Sequence, residues 1–331
     1  MYRETDTGKI RHSIDKIFKI HDEALMYFED WTDIPYPFQK FDFAAIPDFQ
    51  FGGMEHVGAI QYKAASLFLD GTATRDQINS RNTLFAHETA HMWFGDLVTM
   101  NWFTDVWMKE VFANFMADKS AEGSVGKDVF DLKFLLDHFP AAYGVDRTTG
   151  SNPIRQQLNN LKDAGTMYGN IIYHKSPIMM RQLERLMGKE KFQQGVREYL
   201  KKFANSNASW PDLISILDKY ADEDLQQWNK VWVNEPGRPV VDYSIKYEGS
   251  KISKFRIKQT AEYGKNRIWP QIFELSLHYK NYSKEITVNL NAAEVEVKEA
   301  EGLEAPLFVL FNSSGQGDGL WPSDPAIFDH L

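Results

Sequence analysis

The segment His87-Glu88-Thr89-Ala90-His91, with Glu110 following after eighteen intervening residues, constrains this 331-residue chain more than any other feature. Histidines at i and i+4 share a face only if the segment is helical. Glu110 can reach them only from a second element folded against the first. Two imidazoles and one carboxylate are three of the four ligands of a catalytic Zn²⁺ site, whose last position is left to water. A glutamate inside the motif stands beside that water without having to ligate the metal, which is where a general base belongs. The spacing therefore predicts metal-assisted hydrolysis, with His87, His91 and Glu110 as ligands and Glu88 as general base. An H-E-x-x-H match alone arises by chance in roughly one chain of this length per hundred, so its context has to decide.

Composition narrows the possibilities. The chain has no cysteine, which excludes disulfides and thiolate metal sites and leaves histidine and carboxylate as ligands. A net charge of −9 with dispersed acidic residues argues against nucleic acid as a partner. At 43% hydrophobic and 25% charged residues the composition is that of an ordered soluble protein, long enough for two domains. No run approaches the roughly 18 apolar residues of a transmembrane helix. The start, Met1 to Asp6, shows no signal-peptide core. No membrane segment or signal peptide is expected, and the compartment stays open between cytoplasm and periplasm.

Apolar spacing at Ile10, Ile14, Ile17 or Phe18, and Leu25 predicts a helix over 8–30. Strands are expected at 41–47 and 57–62, with Gly52-Gly53 between them as either a hairpin turn or a place of close backbone approach. Thr74 and Gln77 form a capping-box pattern and Gly95 suits a C-cap, which brackets the helix carrying His87 and His91. Thr104-Asp105 opens a second helix over 105–121 that carries Glu110. Further helices are expected at 127–139, 155–163, 166–187, 189–204, 210–221 and 223–233. Asn234-Glu235-Pro236-Gly237-Arg238-Pro239 ends them. Strands then follow at 241–247, 252–259, 271–278, 285–290, 295–298 and 307–311, read as a small antiparallel β-sandwich. The fold class is α+β.

The segment His87–Asn114, HETAHMWFGDLVTMNWFTDVWMKEVFAN, resembles the zinc-binding segment of the gluzincin aminopeptidases, the family of aminopeptidase N and leukotriene hydrolase. Gly52-Gly53-Met54-Glu55 resembles that family's G-x-M-E-N exopeptidase motif, and Tyr168 with Tyr173-His174-Lys175 resembles its Y…Y-E-K-G segment. The resemblance implies a thermolysin-like, mostly helical catalytic domain over 1–238 and a β-sandwich domain over 239–331, without the β-rich domain that usually comes first. It implies one Zn²⁺ per chain, peptide substrates with a free N-terminus, and further domains of a longer protein. Tyr173 becomes the oxyanion donor, with Tyr168 a weaker candidate on the same wall. Gly52, Gly53, Met54 and Glu55 become substrate-binding residues, and Glu55 the carboxylate that holds the α-ammonium. The sequence departs from the family at His56, Lys109 and His174, where the family has Asn, Asn and Glu, and at Val111 and Ser176, where it has Gly. Two rival readings stay open: an endopeptidase with the same zinc chemistry, and a zinc-loaded but inactive scaffold.

Overall fold

The computed structural model describes residues 1–166 and 168–330. In chain order the main elements begin with α1 (Thr7–Thr32), β1 (Phe43–Ile46), β2 (Gly53–Met54), β3 (Ile60–Lys63), α2 (Ala64–Leu67) and α3 (Arg75–Ala90). They continue with β4 (Val98–Met100), α4 (Trp107–Val125), α5 (Lys127–Asp146), α6 (Ser176–Met187), α7 (Lys189–Phe203), β5 (Ser206–Ala208), α8 (Trp210–Leu217) and α9 (Leu225–Trp232). The last are β6 (Pro239–Glu248), β7 (Lys251–Ala261), β8 (Gln271–His278), β9 (Ser283–Leu290), β10 (Glu294–Glu296) and β11 (Phe308–Phe311). The chain forms two compact units, one of 1–130 with 190–220 and one of 131–189 with 221–331. No helix among the described residues is long and apolar enough to cross a membrane.

In the first unit the ends of α3 are chemically specified. Thr74 Oγ1 accepts from the Gln77 amide and Gln77 Oε1 accepts from the Thr74 amide, closing the capping box expected from sequence. The helix closes at Ala90 rather than near Gly95. Beyond it the Met92 and Trp93 amides bond three residues back, and the Gly95 amide turns to the Val98 carbonyl. That last bond leads the chain into β4, which pairs in parallel with β5. Gly95, at φ +137°, therefore opens a strand connection and caps no helix.

Helix α1 buries Ile17, His21, Ala24 and Phe28, while Ile14 and Phe18 of the expected apolar face stay exposed. His21 joins the core because its Nε2 lies 3.0 Å from the Tyr62 hydroxyl and its Nδ1 2.8 Å from the Ile17 carbonyl. Gly52-Gly53 makes no hairpin turn. β1 and β2 flank β3, the first parallel and the second antiparallel to it, with Gly53 opposite Tyr62. Glycine serves close approach here.

In the second unit, 155–160 is not helical, contrary to expectation, and a 3₁₀ turn spans Leu161–Thr166. Asn160 Oδ1 accepts from the Lys162 amide and the Arg155 amide bonds the Val233 carbonyl, so local and tertiary partners displace the helical ones. Of the helix expected over 166–187, Met167 lies outside the described residues. Ile171–Lys175 forms a π-helical turn, and α6 follows it. Helix α5 runs past its expected end through Pro140. The antiparallel sheets β10-β7-β6 and β11-β8-β9 enclose one apolar core that includes Phe255, Ile257, Phe273, Leu275, Ile286 and Val309.

At the end of the π-helical turn, Lys175 is paired with Asp146, each 1% exposed, and donates to the Gly237 carbonyl at 2.9 Å. Removing one partner of a buried ion pair strands the other charge. Lys175→Met is expected to destabilise the fold by about 3–5 kcal/mol in urea denaturation. A loss under about 1 kcal/mol would show that Asp146 finds another partner.

Candidate metal centre

Three elements of the first unit build the site. Helix α3 carries His87 and Glu88, and its right-handed helical conformation persists through His91. The two histidines therefore stack on one face although the hydrogen-bonded helix has just ended. Helix α4 packs against α3 and supplies Lys109, Glu110 and Asn114. The segment after β2 supplies Glu55.

His87 Nε2 lies 3.1 Å from His91 Nε2, and Glu110 Oε2 lies 3.7 Å from the first and 3.9 Å from the second. Ligands held tetrahedrally about 2.0–2.1 Å from zinc sit roughly 3.3 Å apart, so these three atoms match such a set with small adjustment. His91 Nδ1 is 3.1 Å from the Phe94 carbonyl, which accepts its proton and leaves the Nε2 lone pair facing the cluster. The His87 ring is hydrogen-bonded by the Asn114 side chain. Burial, then the nearby His91, pulls His87 down to about 4, which keeps the ring neutral as a ligand must be. The donor set of nitrogen and carboxylate oxygen without thiolate fits zinc.

Other carboxylates also lie within reach. His87, Glu88 and His91 present ligand atoms within 4.8 Å of one another, and so do Glu55, His91 and Glu110. Glu88 is only 4% exposed. Burial, then Glu55 and Glu110, pushes its carboxyl well above the usual range. Its place is set by Gly53, where a Cβ would fall 2.2 Å from Glu88 Oε1. Any side chain at Gly53 would evict the carboxylate. Burial drives the Glu55 carboxyl upward too, but its interactions with the neighbouring His91 and Lys109 side chains outweigh it and hold the group at about 2. Asp96, raised to about 7 by burial and then by Glu55, adds a further carboxylate. Several carboxylates in one small volume are costly without cations to balance them, and that balance is what a divalent ion supplies.

The structure thus brings together Gly53, Glu55, His87, Glu88, His91 and Glu110. Gly52 stands at the same edge, with Leu84 beside it, and Met54 pairs with Gln61. Tyr168 and Tyr173 belong to the second unit, their ring centroids 6.2 Å apart. Tyr173 is half-buried on the π-helical turn, between the buried Ile172 and Lys175, so it is no core tyrosine. Sequence reasoning missed Asn114 and the Phe94 carbonyl. Asn114 was in principle legible, because it lies four residues beyond Glu110 on the same helix face. His56 is exposed, its carbonyl closing a turn to the Ala59 amide.

Residues 17–232 match the peptidase family M1 domain. Over 241 residues the chain is 36% identical to a puromycin-sensitive aminopeptidase of Caenorhabditis elegans, covering 72% of this chain and 25% of that protein. Over 256 residues it is 33% identical to probable aminopeptidase 1 of Sulfurisphaera tokodaii, covering 77% and 32%. Over 235 residues it is 32% identical to a leucyl aminopeptidase of Saccharolobus solfataricus, covering 71% and 30%. The chain spans 25–32% of the length of these curated relatives. The matched region contains the whole His/Glu cluster, and the chain belongs to peptidase family M1.

Proposed function

We propose that this chain carries the catalytic centre of a zinc aminopeptidase, which removes the N-terminal residue from peptides. The observation that carries the proposal is the convergence of His87 Nε2, His91 Nε2 and Glu110 Oε2 within 3.9 Å, beside the buried Glu88. His87, His91 and Glu110 would hold one Zn²⁺. Bound zinc supplies Lewis-acid polarisation of the scissile carbonyl and of a water molecule. Glu88 accepts a proton from the attacking water and passes it to the leaving amine. Gly53 leaves the space in which Glu88 stands, and Gly52, Gly53 and Met54 form the edge along which the substrate lies.

Glu55 gives the reaction its direction. A carboxylate beside the metal cluster binds a free α-ammonium, a charge that a blocked or internal residue does not bring. The family resemblance proposes Tyr173 as the donor to the oxyanion that forms as the carbonyl becomes tetrahedral, a contribution of about 3–4 kcal/mol for a donor of this kind. Tyr168 is the weaker candidate that the same resemblance offers. In this proposal 1–238 form a thermolysin-like catalytic domain and 239–331 the β-sandwich domain, both within a longer protein of the relatives' kind. The relatives' names support the activity, and the family supports the metal.

Hydrolysis of aminoacyl amides beside their N-acetylated forms tests the proposal. The native protein should cleave the free-amine substrates and spare the acetylated ones, and Glu55→Ala should raise KM for the free-amine series by about 10–100-fold. Equal cleavage of acetylated substrates by the native protein would make it an endopeptidase. Absent turnover with one zinc per chain would make it a scaffold.

A further inference from the structure

The basic side chain set among these carboxylates is Lys109. Its ammonium donates to Glu55 Oε1 and lies 3.3 Å from Glu110 Oε1. The pair is largely sheltered, with the Lys109 side chain 18% and the Glu55 side chain 13% exposed. Its stem lies close against Gly95, where a Cβ would meet the Lys109 Cβ at 3.3 Å. Lys109 is a flexible point charge on four methylenes, and its ammonium presents the same chemistry as a peptide's N-terminal ammonium. One carboxylate oxygen of Glu55 is thus already held by an internal cation.

We propose that Lys109 is a specificity-determining residue: its ammonium occupies Glu55 in the resting protein, and the α-ammonium of a substrate must displace it. The proposal rests on Glu55 being the amine site. Glu110 gives the displaced ammonium somewhere to go, since Lys109 bridges both carboxylates already. The exchange swaps one cation for another on Glu55, so the site never holds an unpaired buried carboxylate. Apparent affinity for free amines falls by the fraction of molecules in which Glu55 is vacant. Ligands without an amine do not compete with Lys109, so they escape this penalty.

Calorimetric titration of leucine amide and of its deamino counterpart into the zinc-loaded Glu88→Gln protein, the parent for the variants below, tests the proposal without turnover of the amide. Lys109→Asn and Lys109→Gln should bind leucine amide about tenfold more tightly than that parent, with the deamino amide unchanged. Lys109→Arg keeps the charge and should stay close to the parent's affinity. In kinetics, with Glu88 intact, the same two neutral substitutions should lower KM for aminoacyl amides more than they change kcat. Unchanged or weaker leucine amide binding in Lys109→Asn and Lys109→Gln, with zinc content intact, would overturn the proposal. The Gln variant decides the matter if the Asn variant does not fold. Leucine amide binding that ignores Glu55→Ala would remove the amine site itself, and the displacement proposal with it.

Discussion

Glu88→Gln should keep one zinc per chain yet lower kcat/KM on an aminoacyl amide by about 10²–10⁴-fold, the range expected for loss of a general base. The substitution preserves shape and hydrogen-bonding reach while removing the ability to accept a proton. Glu88 is buried and walled by Gly53, so the amide should sit where the carboxylate sat. The rival assignment makes Glu88 a ligand, because its carboxylate shares a 4.8 Å cluster with His87 and His91. Metal analysis separates the two. Zinc retained with activity lost fits a base, and zinc lost together with activity would make Glu88 a ligand.

His91→Ala should abolish zinc binding, and with it turnover and the thermal stabilisation that zinc confers. A ligand bound only by the folded state adds RT ln(1 + [L]/Kd), about 4.1 kcal/mol at a free concentration 1,000-fold above Kd. His91 matters more than His87 because its side chain is 1% exposed against 15%, and the Phe94 carbonyl fixes its tautomer. Without His91, Glu110 and His87 are too few ligands for a closed set. The melting temperature of the variant should therefore ignore added zinc. A zinc-dependent rise of native size would place the metal elsewhere.

The sequence carried the metal cluster because its chemistry is local. Two histidines one helical turn apart need only the helix, and the capping box at Thr74 and Gln77 marks where that helix begins. Glu110 needed the helix pair α3–α4, which the resemblance implied and the fold provides. Gly53 was ambiguous for a physical reason. Turn and close approach both call for glycine, and what separates them is the pairing of Gly53 with Tyr62 and the lack of room for a Cβ beside the Glu88 carboxylate. The end of α3 was misread at Gly95 because strand pairing at Val98, a tertiary event, redirects the chain.

The stretch 155–163 is expected to be helical, but the Asn160 side chain offers its neighbours a competing turn. Lys109 showed in the sequence as a departure from the family's Asn. That its ammonium reaches Glu55, 54 positions earlier, depends on how α4 meets the segment after β2 and has no sequence signature. The same holds for the Phe94 carbonyl under His91. A backbone acceptor is present at every residue, so no motif marks the one that fixes a tautomer.

The central claim is that His87, His91 and Glu110 hold zinc while Glu88 stands beside it unligated. Anomalous diffraction at the zinc edge from crystals of the metal-loaded protein tests this most directly. The account predicts one peak per chain, about 2.0–2.2 Å from His87 Nε2, His91 Nε2 and a Glu110 oxygen, with Glu88 outside that distance. A peak bonded to Glu88 or Glu55 in place of Glu110, or one lying away from the histidines, would contradict it.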